Sequence, residues 1–346
     1  MTKFNAAQAA KLLDIRDVSV SLNARGKPAP SVLEGISLAV GKGEIVGVVG
    51  ESGCGKSVLS LSVLGLLPGA LRLSGGEIEY AGVHRLDRMG QDELRRYRGK
   101  EAAMIFQDPM SSLNPGLTIG AQLTEMIRLH LGYGRKEASE WAGQLLHKVG
   151  LPRPASLLRE YPHRLSGGMR QRVMIAMAMS CNPGLLIADE PTTALDVTIQ
   201  AQILEMMRGI REENGTSIML ISHDLGVIAD MSDRIAVMYA GQIVEEGDAR
   251  DIFDRPAHPY TIGLLNAIPS PAKKREKLFA IPGTVPALEE RGRGCRFAPR
   301  CPHAEERCRA EAPPLVRVRH EHRARCFLAE EKGATAHEPI RSGAVG

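Results

Sequence analysis

Short apolar segments separated by helix-length stretches recur along the chain and predict a largely parallel β-sheet with helices on both faces. Five of them predict buried strands, at residues 45–49, 102–106, 185–188, 217–222 and 234–239. Residues 12–22 and 32–40 alternate between apolar and polar side chains, which is typical of half-exposed strands. Residues 119–149 carry two helical patterns, and Gly150 is expected to end the second helix. The pattern therefore predicts an α/β domain with a helical subdomain inserted between its strands.

The composition of the chain changes near residue 255, where a segment rich in proline, arginine and cysteine begins. The 346 residues are enough for one large α/β domain with an appendage. We find no internal repeat, so we expect a domain over residues 1–255, an extension over 256–330 and a frayed polar tail over 331–346.

Charge and hydropathy indicate which class of protein the chain belongs to. With 43% hydrophobic and 24% charged residues, the chain has the composition of a soluble globular protein. The net charge of +4 demands no nucleic-acid partner. No stretch of about eighteen apolar residues could span a bilayer. The first residues also lack the apolar core of a secretory signal, so a cytosolic location is expected.

The sequence from residue 50 to residue 57 matches the phosphate-binding loop G-x-x-x-x-G-K-[ST] at every fixed position. The loop consists of Gly50, Glu51, Ser52, Gly53, Cys54, Gly55, Lys56 and Ser57. A predicted strand precedes it and a helical pattern follows, so backbone N–H groups and the helix N-terminus can cradle phosphate oxygens. Lys56 is expected to reach the β- and γ-phosphates and Ser57 to ligate Mg²⁺. The alternative is a glycine-rich turn without a ligand; we favour a nucleoside triphosphate site.

Two carboxylates, Asp189 and Glu190, end another predicted strand. Asp189 is placed to hold Mg²⁺ and Glu190 to polarise an attacking water molecule. The alternative is that the pair caps the helix that follows. Beside a phosphate-binding loop, the sequence favours the catalytic interpretation.

A second candidate anion site begins at Ser166, which is followed by Gly167 and Gly168 and by a helical pattern. Ser166 could simply cap that helix. The two glycines, however, expose backbone N–H groups at a helix N-terminus. Because one nucleotide needs only one such cradle, we expect the second to serve the nucleotide of another subunit.

In order and spacing, these motifs resemble those of the ATP-binding subunits of ABC transporters. The resemblance covers about residues 12–250 and includes two further residues, Gln107 after a strand and His223, and the run Ala194-Leu195-Asp196. It implies a P-loop NTPase fold with a parallel core sheet, an antiparallel β subdomain and a helical subdomain at about 115–180. In isolation, Gln107 and His223 would be taken for ordinary polar residues.

The resemblance also implies roles. ATP and Mg²⁺ would be the ligands, with Gln107 sensing Mg²⁺ and the attacking water, and His223 holding the γ-phosphate. Two such domains would stack head to tail, so that Ser166, Gly167 and Gly168 of one contact the ATP of the other. Asp196 would lie across that interface.

Residues 103–115, residues 188–198 and the run His258-Pro259-Tyr260 resemble the dipeptide and oligopeptide importer branch, which is similar to the nickel importers. This implies a second, different ATPase subunit, two membrane permeases and an extracytoplasmic substrate-binding protein, with the chain peripheral on the cytoplasmic face of the membrane. The alternatives are import of nickel or another small solute, export, and a DNA-repair ATPase. Repair ATPases insert long coiled coils or zinc modules, which the stretch between Gln107 and Ser166 lacks.

Four cysteines crowd the extension, at Cys295, Cys301, Cys308 and Cys326. Four thiolates can bind Zn²⁺ or an iron–sulfur cluster. The spacing lacks the C-x2-C pairs common in zinc sites, and the resemblance to the peptide importers implies a [4Fe–4S] cluster. Zinc, unliganded thiols and a disulfide remain alternatives.

Arginines interleave with these cysteines and allow two interpretations. They are Arg291, Arg293, Arg296, Arg300, Arg307 and Arg309. Nucleic-acid binding is one possibility, but aromatic side chains that could stack on bases are scarce there. We favour a role in offsetting the negative charge of a thiolate-bound cluster.

Overall fold

The structure is a computed structural model that describes residues 10–23, 29–108, 112–193, 195–268 and 280–333. Residues 109–111 of the importer-like run, Ala194 and residues 334–346 of the expected tail lie outside this range. The strands over the described residues are β1 (Lys11–Leu22), β2 (Ser31–Gly41), β3 (Ile45–Val49), β4 (Leu71–Tyr80), β5 (His84–Arg85), β6 (Ala102–Ile105), β7 (Leu185–Asp189), β8 (Ser217–Ser222), β9 (Arg234–Tyr239), β10 (Gln242–Asp248), β11 (Leu315–Arg319) and β12 (His322–Arg325).

Helices separate most of these strands. Over the same residues they are α1 (Lys56–Val63), α2 (Gln91–Tyr97), α3 (Ile119–Leu131), α4 (Arg135–Lys148), α5 (Pro154–Leu157), α6 (Gly167–Ala178), α7 (Val197–Asn214), α8 (Leu225–Met231), α9 (Ala249–Asp254), α10 (Pro259–Asn266), α11 (Glu306–Ala310) and α12 (Phe327–Gly333). None of the described helices is long and apolar enough to cross a membrane.

The main sheet has the strand order β11-β12-β10-β9-β3-β8-β7-β6 over the described residues. Its neighbours from β9 to β6 are parallel, which confirms the five predicted buried strands. The expectation of a largely parallel sheet needs one correction. Three antiparallel strands extend it beyond β9, and two of these come from the C-terminal segment.

The parallel strands are apolar except at their ends, because each of their faces is covered. Successive side chains of a strand point to opposite faces, so Ile218 and Leu220 of β8 enter one core while Met219 and Ile221 enter the other. The first core contains residues of α3, α4, α6 and α7. The second contains residues of β1, β2 and β4, which belong to a four-stranded antiparallel sheet of order β2-β1-β4-β5.

The predicted helical pair is confirmed as α3 and α4. Each helix is followed by a glycine in the left-handed region, Gly132 at φ +71° and Gly150 at φ +69°. Only glycine adopts this conformation without strain, which explains why the helices end there. Trp141 of α4 donates from Nε1 to the carbonyl oxygen of Ser180 at 2.9 Å and so ties this pair to the region after α6.

The C-terminal segment carries few apolar residues of its own, and it packs against the main core. Its hairpin β11–β12 pairs with β10, and Phe297 packs against the rings of Tyr239 and Tyr260 at centroid distances of 5.2 and 5.4 Å. Strand pairing and shared aromatic packing therefore stabilise the segment. Its last helix runs to Gly333, three residues into the expected tail.

A buried carboxylate, Glu245 of β10, binds two parts of this segment. It accepts hydrogen bonds from the backbone N–H groups of Ala257 at 2.6 Å and His258 at 2.9 Å. The Nε2 atom of His322 in β12 lies 2.7 Å from its Oε1, and both side chains are fully buried. A buried carboxylate is tolerated when its oxygens are satisfied in this way.

Candidate nucleotide site

The predicted phosphate-binding loop connects the carboxyl end of β3 to the start of α1. Neighbouring atoms leave no room for a side chain at two of its glycines. A Cβ atom on Gly50 would lie 2.2 Å from the carbonyl oxygen of Met238, and Gly55 has φ +106° with Leu33 2.5 Å from the position of a Cβ atom. The chain can therefore follow this path only with glycine at these positions.

Lys56 is buried at the start of α1, with 6% of its surface exposed. Its ammonium group donates to the carbonyl oxygens of Gly50 at 2.8 Å and Glu51 at 3.2 Å. The positive charge is thus held inside the loop. Cys54 lies nearby and is buried, and burial raises the pKa of its thiol, so that it stays neutral.

Asp189 ends β7 next to the loop, close to the side chain of Ser57. It is 3% exposed, and burial raises its pKa. Its Oδ1 atom is buried without a hydrogen-bond partner among the described residues. A buried, unpaired carboxylate oxygen beside a hydroxyl suits Mg²⁺, which prefers oxygen ligands.

Three side chains from different elements meet at Glu190. Gln107 donates from Nε2 to Glu190 Oε2 at 2.8 Å, and the hydroxyl of Thr193 donates to the same oxygen at 3.0 Å. The Nδ1 atom of His223 lies 3.2 Å from Oε1. Burial alone raises the pKa of Glu190, but the hydrogen bonds from His223 and Thr193 outweigh it and leave the pKa below its usual value.

Glu190 therefore carries a negative charge at neutral pH and can accept a proton. Its backbone has φ +49°, a conformation that is strained for a residue other than glycine. Backbone strain of this kind concentrates at functional sites. The structure thus brings Gln107, Glu190 and His223 together, as the motif order led us to expect. Thr193 was missed, although a hydroxyl three residues after Glu190 was a usable signal.

The second candidate anion site lies at the start of α6. Ser166 caps this helix, because its hydroxyl accepts the N–H of Met169 at 3.4 Å. A cavity of about 470 Å³ opens there and is lined by Ser166, Gly167, Gly168 and Asp196, among others. Asp196 in turn caps α7 through the N–H of Ile199 at 3.0 Å. Residues 50–57 do not line this cavity, so the two candidate phosphate sites are separate within one chain.

The four cysteines of the extension line one common cavity. It is lined by Cys295, Cys301, Cys308 and Cys326 together with His258, Phe297 and other residues. All six cysteines of the chain lie within the described residues and are free thiols. No group of three His, Cys, Asp or Glu side chains over the described ranges is arranged to hold a metal ion.

The arginines near these cysteines have other partners. Arg291 donates to main-chain oxygens of β2 at 3.2 and 3.3 Å, Arg296 binds the carboxylate of Glu34, and Arg300 binds that of Glu51. These three arginines therefore bind groups outside the cysteine cavity, and their role in offsetting the charge of a cluster stays a prediction. Sequence spacing could not reveal the contacts, because the partners lie more than 240 positions earlier in the chain.

Comparison with known families agrees with this geometry. The family model described as ABC transporter matches residues 33–193. A second model, described as the C-terminal region of oligopeptide/dipeptide transporters, matches residues 244–308. The chain is 49% identical to the oligopeptide transport ATP-binding protein AppD of Bacillus subtilis over 93% of its own length and 98% of that protein.

The chain belongs to the ABC transporter ATP-binding subunits. The dipeptide transport ATP-binding protein DppD of Escherichia coli is also 49% identical, over 95% of this chain and 97% of that protein. The predicted family and the prediction of an ATP-hydrolysing subunit are thereby confirmed.

Solved structures confirm the cassette fold of this ABC subunit. The ATP-binding cassette MJ0796, in a dimeric post-hydrolysis state bound to ADP and phosphate, matches with a TM-score of 0.61 and 26% identity. The match covers 69% of this chain and 99% of that one.

Proposed function

We propose that this ABC subunit hydrolyses ATP to drive the import of dipeptides or oligopeptides. The observation that carries the proposal is the similarity over almost the whole chain to AppD and DppD, which are named as oligopeptide and dipeptide transport proteins. The family match at residues 244–308 adds support, because that region is described for oligopeptide and dipeptide transporters. Nickel and other small solutes have no such support, and they become outcomes of the test.

The proposed chemistry uses the residues of the nucleotide site. The loop of residues 50–57 binds the phosphates through its backbone N–H groups, and Lys56 supplies a positive charge to them. Asp189, Ser57 and Gln107 would hold Mg²⁺, which neutralises charge on the phosphates when it is bound. Glu190 accepts a proton from the attacking water, oriented by the side chains that contact it.

His223 lies beside Glu190, and we assign to it the contact with the γ-phosphate. Its side chain is 60% exposed, so it is accessible to a ligand. The separate site at Ser166, Gly167, Gly168 and Asp196 supports a head-to-tail arrangement in which these residues contact ATP bound to a second ATPase subunit. MJ0796, which shares the fold, was solved as a dimer.

The proposed assembly contains this chain, a different ATPase subunit, two membrane permeases and an extracytoplasmic substrate-binding protein. In it the chain is peripheral, on the cytoplasmic face of the membrane. We further propose a nucleotide domain over residues 1–255, an extension over 256–330 and a tail over 331–346. The change of composition near residue 255 supports this division.

The transport test is reconstitution of the full assembly in proteoliposomes. We expect ATP-dependent uptake of labelled dipeptides or oligopeptides, and no uptake when this chain carries Lys56→Ala. Uptake of Ni²⁺ without any peptide would contradict the peptide assignment while leaving the ATPase assignment intact.

We also propose that the four cysteines hold a [4Fe–4S] cluster. Their convergence on one cavity supports this, because a cluster of this type takes four cysteine thiolates. A single Zn²⁺ ion bound by the same four thiolates is the alternative.

Metal analysis of anaerobically purified full-length protein tests the cluster. About four irons per chain and broad visible absorption are expected, and Cys301→Ser should lose the iron. Cys181→Ser is the matched control, because Cys181 is a free thiol outside the set. Stoichiometric zinc without iron would refute the cluster.

A further inference from the structure

An ion pair connects the C-terminal segment to the phosphate-binding loop. Arg300 donates from Nη1 to Glu51 Oε2 at 2.7 Å and from Nη2 to Glu51 Oε1 at 3.1 Å. Its side chain is 6% exposed and that of Glu51 27%. Two parallel charge-assisted hydrogen bonds of this kind fix both the distance and the orientation of a carboxylate. A residue of the loop is thus held by one that lies 249 positions further along the chain.

The guanidinium group of Arg300 is itself fixed. Its Nε atom donates to the carbonyl oxygen of Pro282 at 2.9 Å, and Nη2 also donates to that of Ile281 at 3.3 Å. It lies 5.7 Å from the ring centroid of Tyr239, within the range of a cation–π contact. Because these contacts determine where the guanidinium lies, Arg300 sets the position of Glu51.

Tyr260 holds the backbone of the same residue. The N–H of Glu51 donates to the hydroxyl oxygen of Tyr260 at 2.9 Å. The ring of Tyr260 is fully buried and packs against Tyr239 and Phe297 at centroid distances of 4.6 and 5.4 Å. Both the amide and the carboxylate of Glu51 are therefore bound by residues outside the loop.

These contacts matter for nucleotide binding because Glu51 is negatively charged. A carboxylate in a loop that binds polyphosphate opposes binding, because like charges repel and the repulsion strengthens in poorly solvated surroundings. The carbonyl oxygens of Gly50 and Glu51 also contact the ammonium group of Lys56, so the backbone at Glu51 affects that group too. The ion pair with Arg300 offsets the charge and directs the carboxylate toward the C-terminal segment.

We propose that Arg300 and Tyr260 are positioning residues for the phosphate-binding loop, and that they set its affinity for ATP by holding Glu51. The inference rests on the proposed phosphate site at residues 50–57. It gives the extension a direct part in nucleotide binding, independent of whether the four cysteines hold a metal.

The test measures MgATP affinity of the full-length chain by calorimetry and the kinetics of the assembled ATPase. Arg300→Ala should raise the dissociation constant and KM about tenfold, the size expected for loss of one charge-assisted hydrogen-bonded contact. We expect kcat to change less than about twofold, because Arg300 does not contact Glu190. Arg309→Ala, an exposed arginine in the same segment, should leave both constants unchanged.

Rescue separates positioning from general stability. Adding Glu51→Gln to Arg300→Ala removes the unpaired charge and should bring the affinity back to within about threefold of wild type. Arg300→Lys keeps the charge and the fold but loses the two-point contact, so it should fall between Arg300→Ala and wild type.

Unchanged affinity in Arg300→Ala or Arg300→Lys would overturn the inference. So would a double variant that binds as weakly as Arg300→Ala, because that result indicates only a structural role. If Lys56→Ala bound MgATP like wild type, the proposed phosphate site itself would be wrong, and the inference with it.

Discussion

The nucleotide site and the C-terminal segment differ in the exposure and in the pairing of their polar side chains. At the nucleotide site, Glu190 and His223 have side chains that are 13% and 60% exposed, and one oxygen of Asp189 has no hydrogen-bond partner within the part of the chain that the structure describes. Where the C-terminal segment joins the sheet, Glu245 of β10 and His322 of β12 are fully buried and bind each other. The first region keeps groups available for a ligand, whereas the second uses them to join strands.

Because of this difference, each region controls a different property of the protein. A group that contacts only a ligand can change turnover with little effect on stability. A buried group whose partners are all within the protein affects stability, because its removal leaves those partners unsatisfied. Arg300 belongs to both regions, since it is buried in the segment and binds Glu51 in the loop.

Glu190→Gln gives the largest expected effect and tests the nucleotide side of the comparison. The amide keeps the shape of the side chain but cannot accept the proton of the attacking water. Loss of a general base lowers turnover about 10²- to 10⁴-fold. We expect kcat of the assembled ATPase to fall by this factor while MgATP binding and thermal stability stay near wild type. A variant that kept half of its activity would exclude Glu190 as the base.

The sequence was sufficient to predict the nucleotide site because the residues that form it lie close to one another along the chain or next to a recognisable strand. The glycines and Lys56 lie within eight residues, and β3 and α1 flank them directly. Glu190 likewise follows an apolar strand. The contacts of Gln107 and His223 with Glu190 join distant elements, and only the order of the family motifs placed those two residues in the site.

The structure of the C-terminal segment was harder to predict because its contacts join residues that are far apart in the sequence. Hairpin β11–β12 is short and its strands are rich in arginine. Strand β11 alternates valine with arginine over only five residues, and β12 has one apolar residue, Ala324, so the apolar pattern is too short to predict either strand. Their place in the sheet depends on pairing with β10, about 80 residues earlier. The partner of Arg300 depends on the same tertiary folding, and no local pattern encodes it.

Glu245→Ala tests the C-terminal side. It removes the acceptor of two buried N–H groups and the partner of His322. Breaking a buried, hydrogen-bonded polar cluster in this way costs about 3–5 kcal/mol of unfolding free energy. Urea unfolding of the full-length chain measures it, and kcat of the protein that remains folded should stay near wild type.

Asp254→Ala is the matched control for that measurement. Asp254 pairs with Arg250 on the surface, with both side chains more than half exposed, so its removal should cost less than about 1 kcal/mol. Equal losses for the two variants would mean that burial does not distinguish the C-terminal cluster from an ordinary surface pair.

Tyr260→Phe is the smallest expected effect and tests the connection between the two regions. The change removes only the hydroxyl that accepts the N–H of Glu51, and it keeps the ring packed against Tyr239 and Phe297. A single neutral hydrogen bond contributes about 1 kcal/mol. We therefore expect a loss of about that size in unfolding free energy and a rise of less than about fivefold in the dissociation constant of MgATP.

Tyr97→Phe provides the control, because the hydroxyl of Tyr97 is buried without a hydrogen-bond partner among the described residues. Removing an unsatisfied polar group should leave stability unchanged or raise it slightly, and MgATP affinity should not change. If both variants lost the same stability and neither altered MgATP affinity, the hydroxyl of Tyr260 would have no part in holding the loop. A selective effect of Tyr260→Phe on affinity, smaller than that of Arg300→Ala, would rank the carboxylate contact of Glu51 above its amide contact.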